Sequence, residues 1–141
     1  YWAFAWPGGQ GMARYILDNP DMVRGKRVLD FAAGCGIAAI AAMQAGAKSA
    51  KAAEIDPMAL VAIELNAALN SVTVENIVDI DMSKPTKGYD VILAGDVCYQ
   101  QAMSTRMMGW LWLCFAQGAR VVGGPRTSLS AARSIGETRS I

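Results

Sequence analysis

The chain has 141 residues, 53% of them hydrophobic and 18% charged, with a formal net charge of +1; this suits a single domain with a sizeable core and excludes disorder. There is no histidine, which removes Ser-His-Asp and Cys-His chemistry and most metal sites. The cysteines Cys35, Cys98 and Cys114 are far apart, which argues against a zinc site and a disulfide framework; no basic stripe interleaved with aromatics suggests a nucleic-acid partner.

The aromatic opening, Tyr1 to Trp6, ends in Pro7-Gly8-Gly9, and a helix is predicted from Gln10 to the stop at Asn19-Pro20. Arg27 to Phe31 reads as a buried strand, followed by a glycine-rich turn to Gly36 and a helix from Ile37 to Ala45 capped by Gly46. Ser49 to Glu54 is predicted as the second strand. Asp56-Pro57 is a good helix start, with a carboxylate at N-cap and proline at N1, and that helix runs to about Asn70. Val72 to Ile77 alternates as a third strand. Asp90 to Gly95 is a fourth strand whose apolar run suits burial on both faces. A helix over Gln101 to Ala116 and a strand over Arg120 to Val122 complete the pattern. The tail from Pro125 to Ile141 lacks apolar periodicity and reads as weakly packed.

This order predicts one α/β domain over residues 1–141, with a mostly parallel sheet covered by helices on both faces. The longest apolar stretch, Phe31 to Met43, falls short of the roughly 18 residues that a membrane span needs, so no membrane partner is expected.

The turn Asp30-x-Ala32-x-Gly34-x-Gly36 ends one strand and opens a helix, where glycine lets backbone approach a ligand closely. Glu54 ends the next strand, and its carboxylate can accept two hydrogen bonds from ribose hydroxyls. The spacing admits two cofactor classes. Gly34-x-Gly36-x-x-Ala39 matches the dinucleotide fingerprint, and the acid followed by alternating small residues matches the methyltransferase pattern. A purely structural strand-to-helix turn is the bland alternative.

The segments VLDFAAGCGIAAIAA and AAEIDPMALVAIELNAALN, including Asn66 and Asn70, resemble class I S-adenosylmethionine-dependent methyltransferases. The opening YWAFAWPGGQGMARYILDNPDMVRGKRVLD and the later Gly95-Asp96-Val97-Cys98-Tyr99 resemble the lysine methyltransferases of the electron-transfer flavoprotein β subunit, bacterial type, from Tyr1 to about Arg126. The ribosomal-protein lysine methyltransferases are a broader relative. The resemblance implies a Rossmann-like sheet of the seven-stranded methyltransferase type, S-adenosyl-L-methionine as cofactor and a protein lysine as acceptor. It sets Asp30, Ala32, Gly34 and Gly36 beside the methionine part, Glu54 on the ribose, and Asp79 or Asn76 on the adenine. Trp6 would wall the cofactor pocket, Gln10 could reach it, and Asp96 and Tyr99 would carry catalysis, the aspartate orienting the lysine ammonium.

Three departures stand out. Ala32 replaces the first glycine, Gln100 stands where relatives often have an acid, and Gly123-Gly124-Pro125-Arg126 lacks an aspartate of the related stretch. The last hairpin strands are not found in the tail, so the sheet is expected to be truncated, as is the opening. The expected compartment is the cytoplasm, or the mitochondrial matrix if a leader precedes Tyr1. Against the lysine methyltransferase reading stand another class I methyltransferase, acting on a different protein or a small molecule, a nicotinamide-dependent oxidoreductase and a non-catalytic remnant.

Overall fold

A computed structural model of the chain describes residues 4–95, 101–123 and 139–140. In chain order they form α1 (Pro7–Asp18), a short 3-10 turn (Pro20–Met22), β1 (Arg27–Phe31), α2 (Ile37–Gln44), β2 (Ser49–Ala53), α3 (Pro57–Leu69), β3 (Glu75–Ile77), β4 (Val91–Ala94), α4 (Gln101–Ala116), β5 (Arg120–Gly123) and β6 (Arg139–Ser140). The strands make one sheet in the order β3-β2-β1-β4-β5-β6, and all of its pairings are parallel. The expected Rossmann-like architecture is therefore present. The strand order reverses between β1 and β4, and a crevice opens at the carboxyl ends of strands on either side of such a switch.

The pleat sorts the central strands between two cores. Val28, Val91, Leu93, Ala50 and Ala52 face one way and pack with Met12, Ile16 and the alanines of α2. Leu29, Ile92, Ala94 and Val121 face the other way, onto Met107, Trp110, Leu111 and Cys114 of α4. This is the period-two alternation of a sheet covered on both sides. Ala38, Ala39, Ala41 and Ala42 are all buried; their small side chains let α2 lie close to both the sheet and α1.

Four local differences from the sequence reading have physical causes. Helix α1 starts at Pro7, three residues before Gln10, because proline sits well at N1. A Cβ on Gly9 would lie 3.2 Å from Ile37 Cγ2, and one on Gly95 would lie 3.7 Å from the Gly9 nitrogen. The start of α1 therefore presses on the end of β4 and the start of α2.

Strand β3 covers Glu75–Ile77 only. Residues before it close α3 instead: Ser71 takes φ 56, and the Val72 N–H donates to the Ala67 carbonyl at 3.0 Å. The run Trp110 to Phe115 is apolar almost all round in sequence and reads as a buried helix, but α4 buries Trp110 and Leu111 and leaves Trp112 and Leu113 exposed, so one face is solvated. Finally, Arg139–Ser140 lies parallel to β5, pairing Val122 with Arg139 and Gly123 with Ser140. The tail read as weakly packed thus contributes a short strand, held by backbone pairing that leaves no apolar pattern in the sequence.

Candidate cofactor site

The site is built where β1 and β2 end. Beyond Phe31 the chain turns through Ala32, Gly34 and Gly36 with φ of 54, 56 and 81. Glycine adopts this left-handed region freely, whereas an L-residue there is strained by its Cβ. An ordinary backbone at Ala32 would have made its methyl group harmless; the positive φ makes it a strained substitute for glycine. A Cβ on Gly36 would meet Ile63 Cγ1 at 3.1 Å, while one on Gly34 would meet nothing within 4 Å. Gly36 is thus closed in by α3, and Gly34 borders open space.

Two carboxylates hold this turn. Asp30 is 3% exposed, and its Oδ2 accepts the Ala39 N–H of α2 at 3.1 Å. Burial pushes its carboxyl up to about 7, the Ala39 hydrogen bond opposes this, and the charge of Glu54 adds to the rise. Glu54 reaches across from the end of β2. Its Oε2 accepts the Gly34 N–H at 2.9 Å, while Oε1 accepts the N–H groups of Ile55 at 2.9 Å and Asp56 at 3.3 Å. An ionised carboxylate has about four acceptor positions, so these three bonds leave room for one more donor. Two ribose hydroxyls would have to displace one of the backbone bonds.

Helix α3 supports the turn from behind. Asp56 caps it through Met58 N–H at 2.9 Å, as the sequence predicts. Asn66 Nδ2 donates to the Cys35 carbonyl at 3.0 Å. That contact is not readable from composition or periodicity, since it joins residues far apart in the chain.

Asp30, Ala32, Gly34, Gly36 and Glu54 are therefore brought together. Trp6 occupies the N-cap position of α1, half-buried, with its ring edge-on to Phe4 at a centroid distance of 4.9 Å. Gln10 turns its amide back to the Ala5 carbonyl. The Glu54 N–H donates to the Ile77 carbonyl at 3.0 Å, which sets the end of β3 beside the acid. Asp79 follows it, exposed, accepting the Ile80 N–H at 2.8 Å. Asn76 instead faces α3, donating to the Leu60 carbonyl and to Glu64. Asp96 and Tyr99 lie outside the described residues. Cys35 and Cys114 are buried free thiols. Among the described residues no cluster of three or more histidine, cysteine or acidic side chains could hold a metal ion, and no helix is long and apolar enough to cross a membrane.

The family described as ribosomal protein L11 methyltransferase (PrmA) matches residues 13–97, more than half of the chain. The chain belongs to this methyltransferase family. It is also similar to the electron transfer flavoprotein beta subunit lysine methyltransferase of Rattus norvegicus, 45% identical over 126 residues that cover 88% of this chain and 49% of that protein. The Homo sapiens protein of the same name is 44% identical over 120 residues, covering 82% of this chain and 44% of its own. The chain thus spans about half the length of these curated relatives. The crystal structure of the ribosomal protein L11 methylase from Lactobacillus delbrueckii subsp. bulgaricus superimposes with a TM-score of 0.64 at 24% identity, over 84% of this chain and 60% of that one, which shows the shared fold. Membership of this family sets aside the nicotinamide reading that the glycine spacing alone admits.

Proposed function

We propose that the chain is a protein-lysine N-methyltransferase that uses S-adenosyl-L-methionine and acts on the electron-transfer flavoprotein β subunit. The observation that carries this reading is the 45% identity to a relative of that name across 88% of the chain. The site's geometry fits the cofactor: an open backbone face at Gly34 lies beside a carboxylate already aimed at that residue.

When bound, the cofactor supplies a methyl group already activated on a sulfonium. The remaining task of the chain is alignment, which contributes on the order of 7–11 kcal/mol when two reactants are well oriented. Glu54 would hold the ribose hydroxyls, which would take its free acceptor position and displace one of its three backbone bonds. Asp30 braces the turn through α2, and Asp79 would lie on the adenine side. Trp6 forms an aromatic wall, whose face attracts cations.

The lysine amine must be neutral to attack, which costs about 4.6 kcal/mol at pH 7 from an unperturbed pKa near 10.4. A dry aromatic surround lowers this cost by disfavouring the charged form. Asp96, two residues beyond β4 in the sequence, orients the incoming ammonium and guides its proton to water, with Tyr99 as a second aromatic wall. The family match to residues 13–97 favours a second reading, in which the acceptor is a ribosomal protein. Incubation of the full chain with methyl-labelled cofactor and either the flavoprotein β subunit or ribosomal protein L11 separates the two. Label on a flavoprotein lysine is the expected outcome; label on L11 alone supports the second reading, and label on neither contradicts both.

A further inference from the structure

The glycine turn needs fastening, because alternating left-handed residues give it many backbone alternatives. Glu54 fastens Gly34 and Asp30 fastens the start of α2. The peptide between Cys35 and Gly36 is gripped from both sides. Its N–H donates to the Ala33 carbonyl at 2.9 Å, and its C=O accepts from Asn66 Nδ2 at 3.0 Å. Asn66 lies one helical turn beyond Ile63, the residue that closes the space behind Gly36, so one face of α3 meets the turn twice. The end of α3 is tied in turn: Asn70 Nδ2 donates to the Asn66 carbonyl at 2.8 Å, and Gln44 Nε2 of α2 donates to Asn70 Oδ1 at 3.3 Å.

We propose that Asn66 is a positioning residue for the cofactor turn: its amide holds the Cys35 carbonyl and so sets the Cys35–Gly36 peptide plane next to Gly34, whose face is open. The proposal rests on the cofactor reading above for its functional consequence. A donor is required because the partner is a carbonyl. Aspartate has the same shape but, when ionised, offers no donor and sets a negative oxygen against the Cys35 oxygen.

Two measurements on the full chain test this. Hydrogen exchange at the Gly34 and Gly36 amides, without ligand, reads the turn itself. Calorimetric titration with S-adenosylhomocysteine reads binding. Asn66→Ala and Asn66→Asp are expected to speed exchange at Gly36 and to weaken binding by about tenfold, the loss of roughly one hydrogen bond. Gln44→Ala, which breaks the same network away from the turn, is expected to leave both within about twofold. Unchanged exchange in the folded Asn66 variants overturns the proposal. So does faster exchange with undiminished affinity, because Asn66 would then be structural only. A wild-type chain that binds no S-adenosylhomocysteine fails the cofactor reading, and overturns the functional claim for Asn66 with it, whatever exchange shows of the fastening.

Discussion

Single side chains set both the cost and the pH response of the glycine turn. Ala32 holds a φ of 54 that disfavours an L-residue by roughly 1–2 kcal/mol, while glycine would lose about 0.4–1 kcal/mol more entropy on folding. The strain is the larger of the two. Ala32→Gly is therefore expected to stabilise the chain by about 0.5–1 kcal/mol in chemical denaturation; a loss of stability would mean that Ala32 is not strained. Asp30 makes a prediction of opposite character. Its carboxyl sits at about 7 in the fold, against 3.8 ordinarily, so the folded state holds a proton that the unfolded chain releases. Its contribution to stability is complete below about pH 4, falls as pH rises towards 7, and levels off above that. Between pH 5 and 7.5 the loss is on the order of 2–3 kcal/mol. Asp30→Asn, which keeps an acceptor for Ala39, should flatten this slope; a wild-type profile that rises across the same range contradicts it. Asp90 does not confuse the measurement, since its pairing with Arg27 lowers it to about 2, so that it acts only in stronger acid.

At the scale of elements, the sequence was most legible where several signals agreed. Strand β1 and helix α4 have their predicted bounds, and α3 begins at the Asp56-Pro57 signal because the cap and the proline act together. Legibility failed where packing or helix closure, rather than local pattern, set a residue's role. Gly8 and Gly9 looked like a turn but allow α1 to meet the end of β4. Val72 looked like strand but closes α3. The amphipathicity of α4 was hidden by Trp112 and Leu113 on its outer face, while Trp110 anchors the inner one. Its ring lies 4.8 Å from that of Phe31, and its Nε1 donates to Thr86 Oγ1 at 3.0 Å. Trp110→Ala should cost about 3–5 kcal/mol, the usual range for emptying a buried aromatic site, and Trp112→Ala much less. Similar losses from the two in denaturant unfolding would contradict the burial pattern. Asp56→Ala should cost about 1 kcal/mol through the lost cap.

Over the whole molecule, the parallel sheet places the ends of β1, β2 and β3 side by side, and the start of α1 against the end of β4. The Asp30, Gly34, Gly36 and Glu54 constellation was legible in the sequence because its spacing follows from one strand-turn-helix unit and the strand beside it. Its fastening was not, since Asn66 joins Cys35 only once α3 has folded back, and the three backbone donors on Glu54 depend on its rotamer. Calorimetric titration of the full chain with S-adenosylhomocysteine, with NAD and the Glu54→Ala variant as comparisons, tests the cofactor reading most directly. The expected result is micromolar binding of S-adenosylhomocysteine, weakened by at least about tenfold in a folded Glu54→Ala chain, and no binding of NAD. A folded wild-type chain that binds NAD alone, or neither ligand, would contradict it.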